Sequence, residues 1–208
     1  MKQAEHKIPV TKAQLHQHWQ QRMEGDNLTN KFVRIKDADY FDTTDPNLDP
    51  EQIIYEVTLK ESSPETGHLH WGHIILNPGK INDEYFMTRG HYHVNDHTEE
   101  YILCMGGYGF LMYLDKDGNC WCEEMEEGSL HHIPAGVGRR IINLDDQPLH
   151  LSFCVPADSG TQEFDFEGGV FPCRIFDDNG EPAIRVDLPP VNDGEDESAA
   201  EIEALLKM

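Results

Sequence analysis

The chain has 208 residues, with 16 lysines and arginines against 39 aspartates and glutamates, a formal charge of −23. So acidic a surface disfavours nucleic acid and anionic membrane as partners, and an anionic substrate would need a local group of cations to hold it. No apolar run approaches a membrane span, no secretory leader follows Met1, and five cysteines suit reduced thiols better than a disulfide scaffold, so the expectation is a cytoplasmic protein.

At this length one domain with arms is favoured over two domains. Thr11 to Gly25 predicts a helix: Thr11 and Gln14 make a capping-box pattern, Leu15, Trp19 and Met23 recur every four residues, and Gly25 can close the end. Residues 1–30 are therefore expected to form an N-terminal helical arm, with His16 and His18 facing solvent. Short strand-like runs follow at Phe32–Ile35, Ile53–Leu59, His70–Leu76, Tyr85–Thr88, Glu100–Met105 and Phe110–Leu114. Three more lie at Leu130–Ile133, Arg139–Leu144 and Leu149–Val155. Turn chemistry at Pro78-Gly79, Lys116-Asp117-Gly118-Asn119, Asp145-Asp146-Gln147-Pro148 and Asp178-Asn179-Gly180 separates them. Such spacing predicts an all-β sandwich or barrel over residues 31–190. Cys120-Trp121-Cys122 lacks the second cysteine pair of a structural zinc site and reads as core packing or part of a hairpin. Residues 191–208 form an acidic tail, ending in either a short helix with Ile202, Leu205 and Leu206 on one face or a frayed end.

The chemistry concentrates in Gly90-His91-Tyr92-His93, followed by Glu99-Glu100 and Gly107-Tyr108-Gly109. Two histidines one residue apart on a strand project to the same face. A carboxylate from the next strand can then complete one face of an octahedral metal. Farther on, Gly128, Pro134, Gly136, Arg139 and Asn143 form a second group.

These two segments resemble the two motifs of the cupins, except that Arg139 stands where the second motif has a histidine. Within that superfamily the chain is similar to the cupin-type, or archaeal-type, glucose-6-phosphate isomerases. The similarity runs from about Phe32 to about Arg185. It is carried by Tyr55-Glu56-Val57, Pro78-Gly79-Lys80, Glu84 to His93, Met125 to Gly128, Asn143 with Pro148-Leu149, and Pro156-Ala157-Asp158-Ser159-Gly160.

The resemblance implies a double-stranded β-helix of jelly-roll type, a homodimer, and aldose–ketose isomerisation of a small-molecule sugar phosphate. It further implies His91, His93 and Glu100 as ligands of one divalent metal per subunit, iron, manganese, zinc or nickel. Glu100 would be the catalytic base between C1 and C2, and Thr88 and Gly90 would help hold the sugar phosphate. Glu99 competes for the same place, but Glu100 sets Gly107-Tyr108-Gly109 over the family's Gly-x-Gly turn.

A guanidinium has no lone pair to give a metal, so Arg139 cannot replace imidazole as a ligand. Three arrangements stay open. Three protein ligands and water hold the metal; or His73, His131 or His132 moves in; or the site holds no metal and Arg139 pairs with Glu100. Pointing inward, Arg139 offers a bidentate fork to phosphate or carboxylate, with Lys80, Arg89 and Arg140 as neighbouring cations; turned outward, it would pair with surface acid. Ile74, Ile102 and Val155 stand where the family has hydroxyl-bearing side chains. The alternative function is therefore a non-catalytic cupin that binds a sugar phosphate or sugar acid through Arg139.

Overall fold

Short strands, whose side chains project alternately to the two faces, build this molecule. The computed structural model describes residues 12–160, 162–163 and 171–186. In chain order the strands are β1 (Leu15–His16), β2 (Glu24–Gly25), β3 (Thr29–Arg34), β4 (Ile53–Lys60), β5 (Leu69–Leu76) and β6 (Lys80–Ile81). There follow β7 (Glu84–Tyr85), β8 (His91–Tyr92), β9 (Glu100–Gly106), β10 (Gly109–Leu114), β11 (Cys120–Met125) and β12 (Leu130–Ile133). The last are β13 (Gly138–Asn143), β14 (Leu149–Pro156), β15 (Gln162–Glu163), β16 (Cys173–Asp178) and β17 (Glu181–Val186).

Six strands form one sheet in the order β12-β9-β14-β5-β4-β3, and five form a second in the order β11-β10-β13-β8-β15. Between β8 and β15 the chain passes back and forth between these sheets. Strands distant in sequence therefore become neighbours, β13 between β10 and β8 and β14 between β9 and β5, all antiparallel. This is a jelly-roll barrel, the all-β architecture that the resemblance implied. Leu76, Ile102, Cys104, Leu111, Ile141 and Leu151 fill the space between the sheets. A smaller sheet, β17-β16-β7-β6, backs the second one, with Met87, Met112, Ile142, Phe171 and Ile175 packed in a separate cluster.

The second motif's residues have structural work. Asn143 is fully buried and its Nδ2 donates to Leu76 O and Gln147 O, both at 2.9 Å, while its Oδ1 accepts from Asp145 N. It thereby ties the β13–β14 turn to β5. Gly107 turns the chain from β9 into β10 at φ +89°, a conformation that a side chain disfavours.

Among the described residues the helical arm is not there. From residue 12 onward the segment is irregular, with β1 and β2 forming a two-residue antiparallel ladder. The four-residue recurrence that suggested a helix does not mark one buried stripe: Met23 is 3% exposed, whereas Leu15 and Trp19 are 38% and 46% exposed. Gln20 sits at φ +55°, which ends any helical run. Tertiary contacts override local propensity here. Trp19 Nε1 donates to Glu127 at 2.8 Å, and Arg22 forms an ion pair with Glu56, laying the segment over the outer face of the six-stranded sheet. Residues 1–11, and the short helix or tail expected over 191–208, lie outside the described residues.

Candidate active site

β8, β9 and β13 bring the two motifs together at one end of the barrel. Arg139 lies directly across from His91 on β8 and from Tyr113 on β10, so its side chain enters the barrel with theirs. Along β9 the inward positions run Glu100, Ile102, Cys104, so one carboxylate tops an otherwise apolar column. Glu99 points the other way and meets His132 Nε2 at 3.0 Å, so Glu100 is the residue of the pair that enters the barrel. Above the core lies a cavity of about 470 Å³, within the usual range for small-molecule sites. Glu100, Arg139, His91, His93, Thr88 and Gly90 all line it.

The closed end is a continuous hydrogen-bonded set. Arg139 Nη2 is ion-paired to Glu100 Oε2 and lies 2.6 Å from His93 Nε2; Nη1 donates to His91 O at 3.3 Å. Thr98 Oγ1 donates to Asn95 O at 2.7 Å, so it accepts from His93 Nδ1 at 3.0 Å. That fixes His93 as the Nδ1–H tautomer and leaves its Nε2 to accept from Arg139. His93, Glu100 and Arg139 are only 8%, 4% and 5% exposed.

Electrostatics follow from this packing. Burial opposes the charged form of Glu100, but the Arg139 guanidinium outweighs it and holds the carboxyl below its ordinary range. For His91 burial is the largest cause, the Arg139 charge adds to it, and the imidazole is pushed well below its ordinary range. The set thus contains an ionised carboxylate, a guanidinium and a neutral His91.

As arranged, these residues do not fit a metal. The two atoms that would face the ion, His93 Nε2 and Glu100 Oε2, lie 3.4 Å apart and both receive the same guanidinium nitrogen. Among the described residues no group of three or more His, Cys, Asp or Glu side chains is placed to hold one. Nor does another histidine take the missing place. His131 is engaged with Glu123 (2.8 Å) and Ser129 (2.7 Å), His132 with Glu99, and His73 stacks on His150 at 5.7 Å between ring centroids.

The expected group of cations around Arg139 is dispersed. Lys80 pairs with Asp177, Arg89 with Asp39 at 2.5 Å, and Arg140, next along β13, points out of the barrel and over the Phe171 ring at 4.6 Å. Arg89 nevertheless reaches the cavity wall. Thr88 Oγ1 accepts from Ile141 N at 3.0 Å, pinning the segment that leads to Gly90. Ile74, Ile102 and Val155 make an aliphatic wall. Sequence reasoning missed Lys31, which lines the cavity from β3. Its signal was the two-residue spacing from the buried Val33.

A family model described as glucose-6-phosphate isomerase matches residues 34–188. The glucose-6-phosphate isomerase of Pyrococcus furiosus is 30% identical over 140 residues, covering 67% of this chain and 73% of its own. That of Thermococcus litoralis is 29% identical over 135 residues, covering 65% and 71%. Among solved structures, oxalate decarboxylase from Bacillus subtilis matches with a TM-score of 0.42 and 20% identity, over 52% of this chain and 26% of that one. The chain therefore spans about a quarter of the length of that structure.

Proposed function

The chain belongs to the glucose-6-phosphate isomerase family, and from that membership we propose that its cavity interconverts an aldose phosphate and a ketose phosphate, glucose 6-phosphate and fructose 6-phosphate being the first pair to test. One observation carries the reading: an ionised carboxylate, Glu100, stands at the closed end of a cavity of suitable size. Isomerisation needs a base that takes a proton from C2 and returns it to C1. Glu100 is the buried carboxylate of the cavity wall, and its burial limits bulk water, which would otherwise exchange with the proton in transit. Thr88 and Gly90 shape the wall on which the substrate would rest.

The experiment is a coupled assay run alongside exchange of the C2 proton in heavy water. Glu100→Gln is expected to lower kcat by roughly 10²–10⁴-fold, the usual worth of a positioned base. Wild-type turnover that survives Glu100→Gln would remove Glu100 from this role.

The aliphatic wall of Ile74, Ile102 and Val155 favours a second reading, ligand binding without turnover, because it offers a polar substrate few hydrogen bonds. A sugar phosphate or sugar acid that raises the melting temperature, with neither turnover nor proton exchange, would select it.

A further inference from the structure

We propose that Arg139 is the resident cation of this site, standing where a divalent metal would stand and performing a metal's two tasks: balancing the Glu100 carboxylate and gathering the negative charge that develops on the sugar oxygens. The second task rests on the isomerase reading above.

The geometry supports this in three ways. First, Arg139 Nη2 has two hydrogens, and the site presents two acceptors for them, His93 Nε2 and Glu100 Oε2. The guanidinium is matched to its surroundings and is not merely filling space. Second, the tautomer of His93 is set by the chain Asn95 O, Thr98 Oγ1, His93 Nδ1, which aims the Nε2 lone pair at Arg139. A metal would compete for that same lone pair. Third, Arg139 is held in register against His91 and Tyr113 on either side, so backbone pairing fixes its entry into the barrel. With Glu100 already neutralised, an arriving dication meets no net negative charge and a like charge at contact distance.

The chemistry balances without a metal. The C2 proton passes to the Glu100 carboxylate, and its electron pair forms the C1–C2 double bond while the carbonyl bond opens onto O1. The charge on O1 is met by a guanidinium N–H, which stays protonated throughout. The hydroxyl proton moves from O2 to O1 as Glu100 returns its proton to C1, leaving the carbonyl at C2. No oxidant, reductant or further reactant enters.

The test combines metal binding with turnover. Wild-type protein is stripped with chelator and titrated with Co²⁺, following visible absorption and bound metal per chain. It is expected to bind no stoichiometric metal and to keep its turnover in chelator. Arg139→His is expected to take up one Co²⁺ per chain. Binding of one Co²⁺ by wild type that His93→Ala abolishes would overturn the proposal, as would turnover lost in chelator and restored by metal. Both wild-type measurements decide the matter even if Arg139→His fails to fold. The expected metal pattern without any turnover keeps Arg139 as resident cation and sinks the isomerase reading separately.

Discussion

A buried arginine and a buried glutamate are each costly to remove from water, and what makes the pair tolerable is that each satisfies the other. Arg139 and Glu100 are both near-fully buried and directly paired. Arg139→Ala should therefore cost about 3–5 kcal/mol by stranding a carboxylate, read as a lower urea midpoint. A loss under about 1 kcal/mol, the range of an exposed pair, would mean that water reaches Glu100 freely. At this scale the sequence was partly legible. Strand alternation grouped His91, His93 and a carboxylate, and the resemblance to the second cupin motif added Arg139 to them. Which arrangement they adopt was left open, since a guanidinium that pairs with Glu100 and one that turns outward to surface acid share the same sequence. The imagined cation group failed on the same alternation: Arg139 and Arg140 are adjacent in sequence and so point to opposite faces.

Among elements, the strands were legible wherever apolar residues alternated or ran together, and β12 has the expected bounds Leu130–Ile133. β11 was absent from the expected strands, Cys120-Trp121-Cys122 being read only as core packing or part of a hairpin, because the glutamates after it offer little apolar contrast; its strand character comes from pairing with β10 along six residues. The Asp178-Asn179-Gly180 turn was recognised, but not the hairpin that it closes, β16 with β17. The helix expected over Thr11–Gly25 was lost to contacts with residues more than thirty positions away, which no local pattern encodes. The register of β10 on β13 gives a test of its own. A Cβ added at Gly109 would fall well inside contact distance of the Ile142 carbonyl oxygen, a backbone atom that cannot rotate aside. Gly109→Ala should destabilise the fold by about 1–3 kcal/mol, read by thermal melting. An unchanged melting temperature would show that the two strands can spread at no cost.

For the whole molecule, acid is the condition to examine. His73 is 1% exposed on the outer face of the six-stranded sheet, and neither ring nitrogen has a hydrogen-bond partner among the described residues. Burial, aided by His150 and Arg22, lowers its pKa from 6.5 to about 4. The folded protein therefore keeps this ring neutral while the unfolded chain protonates it below about pH 6.5. Its contribution is complete above that pH and is lost as pH falls toward 4, by roughly 3 kcal/mol over the window. His150 shifts in the same direction, burial being the main cause. Urea midpoints at pH 7.5 and 4.5 should drop less for His73→Phe than for wild type. Equal drops would show that His73 takes up its proton without opening the fold.

The guanidinium seated between His93 and Glu100 also alters what the molecule depends on. A metal is recruited from solution, and its occupancy falls with dilution or competition for supply. Arg139 arrives with the polypeptide, once per chain, at synthesis. A ligand that binds only the folded state makes stability a function of its concentration; a side chain already covalently in place has no concentration to vary. The site's positive charge is thus a fixed property of the chain, inherited at one position of the sequence and independent of the metal economy around it.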